Sequence, residues 1–252
     1  MLVPRIIPCL LIKNNGLVKT IKFRNERYVG DHLNAIKIFN EKGVDELIFL
    51  DISVTREGTR PSFDDIARIT SQCFMPICYG GGIRNKEDIR TIFSLGVEKV
   101  SLGSIAVENP DFIREVSDIF GSQSIVVCLD VKKNILKQYE VVIKNWSKKT
   151  GLDPVKFALK MESLGCGELL VNSVDRDGTM QGYDLDLIKR IAKEVSIPLI
   201  ACGGAGNLTH MSEVIKQGAS SASAGSLFVF FGKRKAVLIN YPEREEIDRL
   251  FQ

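Results

Sequence analysis

The 252-residue sequence has only two histidines, no paired C-x-x-C spacing and no apolar run approaching the length of a membrane span. Each shortage removes a class of function. Six scattered cysteines (Cys9, Cys73, Cys78, Cys128, Cys166, Cys202) with two histidines offer no zinc-ligand spacing, so neither a metal site nor a cofactor is expected. The thiols, mostly inside apolar runs, read as buried and reduced. The opening residues lack a charged stretch, an apolar stretch and a small-residue cleavage site in succession, and nothing is long enough to insert in a bilayer. A cytoplasmic location is the expectation. Charge of one sign is also missing: 34 Lys and Arg against 31 Asp and Glu leave +3, which gives no reason to expect nucleic acid or an acidic membrane. Phosphorylated small molecules remain open as ligands.

What is present is alternation. Short β-branched runs ("RIIPCLLI", "ELIFLDIS", "MPICYG", "KVSLGS", "SIVVCLDV", "ELLVNSVD", "IPLIACGG", "SASAGS") are separated by amphipathic segments such as "GDHLNAIKIFNEKG" and "LDPVKFALKMESLG", each ended by glycine. Eight strand-helix units in this length predict an α/β fold, a (β/α)8 TIM barrel. No linker or change of composition divides the chain, so residues 1–252 are expected to form one barrel domain.

The chain also repeats itself. A shift of 122 places aligns "DELIFLD" (45–51) with "GELLVNS" (167–173), "MPICYGGGIRN" (75–85) with "IPLIACGGAGN" (197–207), and "GVEKVSLGS" (96–104) with "GASSASAGS" (218–226). Near the start the shift is 119, which pairs Cys9 with Cys128 and Leu11 with Asp130. Two half-barrels of four units each explain the register. Each half supplies a glycine turn and a Gly-Ser pair at strand ends: Gly81 and Gly82 with Gly103 and Ser104, then Gly203 and Gly204 with Gly225 and Ser226. Backbone N–H groups in such turns, with a serine hydroxyl, suit phosphate, and two sets predict a substrate phosphorylated at both ends. At the other end of the barrel, strand parity points Arg5, Glu46, Lys99 and Glu168 inward on one level, Arg5 lying about 20 Å below Leu11. Two acids and two bases on that level predict a mutually paired layer, because unpaired inward charges are expensive.

These residues resemble the HisF family, the cyclase subunit of imidazole glycerol phosphate synthase, over nearly the whole chain. "RIIPCL", "DELIFLDI", "YGGGI", "AVENP", "FGSQSIVV", "NSVDRDGT" followed by "GYD", and "ACGGAG" carry the likeness, and the related isomerase of the same pathway matches less well. The resemblance implies a HisH-like glutaminase docked on the N-terminal barrel face and ammonia passing through a charged gate and the barrel interior to a bisphosphorylated substrate. Arg5, Glu46, Lys99 and Glu168 match the gate. Lys19 matches a lysine of the long loop after the first strand that acts over the active site. Asp130 matches one of two catalytic aspartates, and Asp177 and Gly178 fall in the strand-end motif "DRDGT".

Leu11 stands where the second catalytic aspartate belongs. Leucine neither takes nor gives a proton, and loss of one proton-transfer group costs about two to four orders of magnitude in rate. Gly103 replaces the family's usual asparagine and Asn172 its usual threonine. The pattern resembles a divergent HisF-like branch, through "PCLL", "GLVKT", "FMPICYGGGI" and "GSLFVFFGKRKAVLINYP", that is associated with surface-polysaccharide genes. That resemblance implies delivery of ammonia to an amidotransferase that turns an acetamido sugar into an acetamidino sugar. The tail "FVFFGKRKAVLINYP" is an aromatic and basic run where a final amphipathic helix is expected, serving as a docking surface for that partner, or else it is a last strand or helix packed against the barrel. The alternative is a working cyclase, with Asp130 and Lys19 sufficing or Asp51 substituting for the missing carboxylate.

Overall fold

The computed structural model describes residues 4–144 and 147–251, with side chains throughout these except at 55 and 56. Eight parallel strands form the centre: β1 (Arg5–Lys13), β2 (Leu47–Asp51), β3 (Ile77–Gly80), β4 (Lys99–Leu102), β5 (Ile125–Lys133), β6 (Glu168–Ser173), β7 (Leu199–Cys202) and β8 (Ser221–Ala224). Each pairs with its neighbours in chain order, and β8 pairs with β1, so the sheet closes. This is a (β/α)8 TIM barrel.

The outer ring is α1 (His32–Glu41), α2 (Phe63–Gln72), α3 (Lys86–Ser94), α4 (Asp111–Phe120), α5 (Pro154–Ser163), α6 (Leu185–Ala192), α7 (Leu208–Lys216) and α8 (Arg244–Leu250). Most begin where a short polar side chain takes an otherwise orphan N–H: Asp31, Ser62, Asn85, Asp153, Asp184 and Asn207 cap α1, α2, α3, α5, α6 and α7.

Strand alternation divides the apolar residues into two cores. Ile6, Leu10, Phe49, Val100 and Leu169 face outward and pack with helix residues such as Phe39 and Ile92. Ile7, Ile48, Val126, Leu170 and Ile200 face inward with Cys9, Cys78 and Cys202, and Leu50 and Cys128 pack against them. Four of the six free thiols therefore line the barrel interior. Burial pushes Cys78 and Cys128 well above the usual thiol range, and contact with the Cys9 thiol, with burial adding to it, does the same for Cys202, so all three stay protonated.

The two halves share their irregular parts. The first strand of each half runs on into an antiparallel extension: Gly16–Ile21 with Arg24–Gly30 after β1, and Tyr139–Ile143 with Lys148–Lys149 after β5. The fourth strand of each is followed by a short helix entered from a glycine, Ser104–Glu108 or Ser226–Val229.

Two expectations need correction. The segment after β1 is a hairpin, with Leu11 opposite Val18, and its turn residues Asn14 and Asn15 both have positive φ (49° and 60°), as a two-residue hairpin turn requires. The tail does not form one amphipathic helix. Phe230–Phe231 and Ala236–Val237 make a small hairpin, and the chain then returns along the short helix, Leu238 N–H donating to Val229 O (2.9 Å) and Asn240 N–H to Phe228 O (3.0 Å). Tyr241 Oη donates to Ile6 O (2.9 Å), tying the segment to the barrel before α8. Among the described residues no helix is long and apolar enough to cross a membrane.

Candidate functional site

A cleft of about 390 Å³ opens at the C-terminal ends of the strands. Leu11, Lys19, Asp130, Gly81, Gly82, Gly103, Ser104, Asp177, Gly178, Gly203, Gly204, Gly225 and Ser226 all contribute to its wall. The fold thus brings together every residue singled out for chemistry or phosphate binding, and the four inward charges lie elsewhere.

The glycine turns are forced by close backbone approach. A Cβ on Gly81 would stand 2.4 Å from Asp51 O, and one on Gly204 would stand 2.2 Å from Gly182 O. Gly103 and Gly225 precede the first turns of the two short helices and bring no capping side chain, so helix N–H groups there remain open to an anion from the cleft. Arg84 and Lys144 also line the cleft beside the first of these sets, and sequence reading missed both. Lys144 donates its backbone N–H to Ser104 Oγ (3.3 Å) and its ammonium to Glu108 (2.9 Å). Only the position of Arg84, two residues beyond the glycine turn, could have marked it.

Asp130 stands level with Asn172 on the adjoining strand, and Asn172 Nδ2 donates to Asp130 Oδ1 (3.1 Å). Burial pushes the Asp130 carboxyl up to about 7 although the Asn172 hydrogen bond pulls the other way. A carboxyl held there exchanges a proton readily at neutral pH. Lys19 is buried, its Nζ donating to Cys9 O (2.6 Å), and burial lowers its pKa. Leu11 presents only aliphatic surface to the same cleft. Asp51 is committed to starting the helix Ile52–Glu57: its Oδ1 accepts from Ser53 N–H (3.0 Å), Ser53 Oγ (2.6 Å) and Val54 N–H (3.4 Å).

Asp177 serves as a clamp for the hairpin over the cleft. Its Oδ2 accepts from Thr20 Oγ1 (2.8 Å), and its carbonyl accepts from Lys22 N–H (2.9 Å). Burial raises the Asp177 carboxyl, opposed by the Thr20 hydrogen bond and by Lys19.

At the opposite end, the four inward charges close into a ring. Arg5 binds Glu46 through Nη1 and Glu168 through Nη2, and Lys99 Nζ lies 3.1 Å from Glu46 Oε1 and 3.0 Å from Glu168 Oε2. Arg5 Nε also donates to Ser221 Oγ (3.1 Å). Glu46 and Glu168 are buried, while Arg5 and Lys99 retain access to water. Burial works against both cations, and the two carboxylates outweigh it and raise them; burial also raises Glu46 despite Lys99 and Arg5. The interior core separates this ring from the cleft.

Comparison with known proteins adds an independent line. The family described as "Histidine biosynthesis protein" matches residues 5–235. The chain is 51% identical over 253 residues, the whole of both proteins, to a Leptospira interrogans protein provisionally named imidazole glycerol phosphate synthase subunit HisF. It is 48% identical over 245 residues to a Pseudomonas aeruginosa protein provisionally named subunit hisF2, covering 97% of this chain and 98% of that one. A Vibrio vulnificus protein provisionally named subunit hisF3 is 49% identical over 248 residues, 98% of this chain and 95% of the other.

Proposed function

The chain belongs to the histidine biosynthesis protein family as a HisF-like barrel, and from that premise we propose that it is the ammonia-accepting subunit of a glutamine-dependent assembly. A HisH-like glutaminase docks on the N-terminal face and releases ammonia at the charged ring of Arg5, Glu46, Lys99 and Glu168. Ammonia travels the barrel interior as the neutral molecule, for which an apolar, thiol-lined path is far cheaper than for ammonium. It emerges at the C-terminal cleft and passes to an amidotransferase that builds an acetamidino sugar of surface polysaccharide.

One pairing carries this reading: an intact, fully paired four-charge ring at one end of the barrel, and a leucine at position 11 facing Asp130's cleft at the other. Cyclase-lyase chemistry, which cleaves the substrate and closes the imidazole ring, needs a proton donor and a proton acceptor on opposite sides of the substrate, and Leu11 can be neither. Asp51, which also lines the cleft, spends its Oδ1 on hydrogen bonds from Ser53 N–H, Ser53 Oγ and Val54 N–H.

The second reading, an active cyclase-lyase of imidazole glycerol phosphate synthase, draws on the two glycine cradles and on Asp130 poised at about 7. In that case the cradles hold the phosphates of a bisphosphorylated formimino-carboxamide ribonucleotide.

An assay of the purified chain with that nucleotide and an ammonium salt separates the two, with Leu11→Asp run alongside. The conduit reading expects no turnover by the unaltered chain and partial recovery in Leu11→Asp. Turnover by the unaltered chain near that of an ordinary family member overturns it.

A further inference from the structure

Three hairpins rise around the mouth of the cleft, one after β1, one after β5 and one after β8. Their segments, 16–30, 131–150 and 230–240, hold thirteen lysines and arginines against two acids, although the chain as a whole nets only +3. The remaining residues are therefore net acidic, and with Lys19 set aside as buried the rim is a segregated basic surface. The same hairpins carry exposed apolar side chains: Ile135 is 93% exposed, Leu136 73% and Phe231 64%.

The tip bearing Ile135 and Leu136 is ordered. Asn134 Oδ1 accepts from the N–H groups of Leu136 (2.9 Å) and Gln138 (3.0 Å), and Lys137 N–H donates to Asn134 O (2.9 Å). An ordered turn that holds two adjacent aliphatic side chains out in water contributes nothing to this chain's own core. Arg27 joins the first and third hairpins, its guanidinium 5.0 Å from the Phe230 ring centre and its Nη1 donating to Lys235 O (3.2 Å). The rim is thus partly cross-braced.

We propose that this rim is the docking surface for a protein whose face is acidic and carries apolar sockets for Ile135, Leu136 and Phe231, and that this protein seals the cleft mouth. Resting on the function proposed above, the occupant is the ammonia-consuming amidotransferase. Ammonia discharged into open water takes up a proton and is lost as a nucleophile, so the conduit must end in a closed joint. Aliphatic tips need protein sockets, since nucleic-acid bases stack on aromatic rings and arginine planes. A second copy meeting the same face is disfavoured by the shared positive charge.

The test measures binding of the purified acetamido-sugar amidotransferase to the unaltered chain, to the double variant Ile135→Ser with Leu136→Ser, to Lys233→Glu with Lys235→Glu, and to Leu159→Ser on the outer ring as a control. Each hairpin variant is expected to weaken binding by about tenfold or more with its melting temperature retained, and Leu159→Ser to bind as the unaltered chain does. Binding should weaken with salt. No binding by the unaltered chain, or equal binding by both hairpin variants, overturns the inference. So does binding that depends on the tips but goes to phosphatidylglycerol vesicles, to a single-stranded oligonucleotide or to a second copy of the chain in place of the amidotransferase. Glutamine-driven amidination by the three proteins together keeps the two proposals apart. Amidination that proceeds equally with the hairpin variants refutes the docking surface and leaves the function standing; tip-dependent binding without any amidination does the reverse.

Discussion

Asn172 and Asp130 sit opposite each other on adjoining strands, and the amide of one donates to the carboxyl of the other at 3.1 Å. That hydrogen bond favours the ionised carboxylate, against burial, which has already lifted Asp130 to about 7. Asn172→Leu should therefore raise Asp130 further, read directly from its carboxyl carbon shift in an NMR titration. A downward move or none would show that the amide does not set the proton's affinity.

Asp130 also predicts a pH dependence of stability. Its folded pKa of about 7 lies above an unfolded value of about 3.9, so the folded state favours the protonated acid. The stability this contributes is complete below about pH 4 and is lost as pH rises through 7. Asp130→Asn should remove that decline and be the more stable protein at pH 8, by on the order of 2 kcal/mol once water in the cleft is allowed for. Denaturation curves that fall in parallel from pH 5 to 8 for both proteins would contradict it.

Much of this was legible in the sequence, for reasons that differ by region. The barrel strands are two-sided and apolar, and their alternation with amphipathic helices states the topology directly. The repeat pairs Leu11 with Asp130, so the residue at position 11 is conspicuous in the sequence alone. Parity alone put Arg5, Glu46, Lys99 and Glu168 on one level, because a strand's period of two leaves no freedom once one face is known. The hairpin after β1 was read as a loop because its second strand, Arg24–Gly30, is exposed along its first five residues and so lacks apolar alternation. The tail departs from a helix because Gly232 and three basic residues turn the chain between two short strands. Arg84 follows the glycine turn by two residues, which is its only local sign, and Lys144 reaches the cleft only through the three-dimensional course of its segment, which no local pattern encodes.

The charged ring makes its own prediction. Arg5→Ala leaves Glu46 and Glu168, both buried, to share Lys99. Breaking a buried ion pair costs about 3–5 kcal/mol, and because Arg5 itself reaches solvent a loss on the order of 2 kcal/mol is expected in chemical denaturation. If the ring is the ammonia gate, a HisH-like glutaminase assembled with the same variant, or with Lys99→Ala, will also hydrolyse glutamine without matching use of ammonia. A stability change under about 0.5 kcal/mol, the range of a surface pair, would mean the ring is solvated decoration.

His32 ties the hairpin turn to the helix ring. Its Nδ1 lies 3.2 Å from Asn15 O and its Nε2 3.3 Å from Asp65 Oδ1, so both ring nitrogens face acceptors and the imidazolium suits the site. Contact with Asp65 raises His32 in spite of burial, with Asp31 adding to the effect, and His32 together with Arg68 lowers Asp65. The His32 share of stability is complete below about pH 6.5 and is lost as pH rises through the raised folded value; the Asp65 share is present above about pH 3.9 and is lost as pH falls. Unaltered chain and His32→Gln should therefore differ most between those limits and converge at alkaline pH. Melting temperatures that keep a constant gap up to pH 9 would refute a charged His32.

Gly178 is the seat on which the hairpin rests. A Cβ there would stand 2.0 Å from Thr20 O, and the residue's φ of +67° is itself costly for any other side chain. Gly178→Ala must therefore push the hairpin away, breaking the Thr20–Asp177 and Lys22–Asp177 hydrogen bonds and drawing Lys19 out from between Cys9 and Gly225. The expected cost is on the order of 2 kcal/mol, concentrated locally. Amide exchange should quicken across residues 16–30 while the barrel strands keep their protection. Because burial depresses the Lys19 amine, its release should also carry that pKa back up, measurable by NMR. If exchange in 16–30 is unchanged while the barrel loosens, the glycine serves the barrel wall instead, and the hairpin is held over the cleft by its turn at His32 alone.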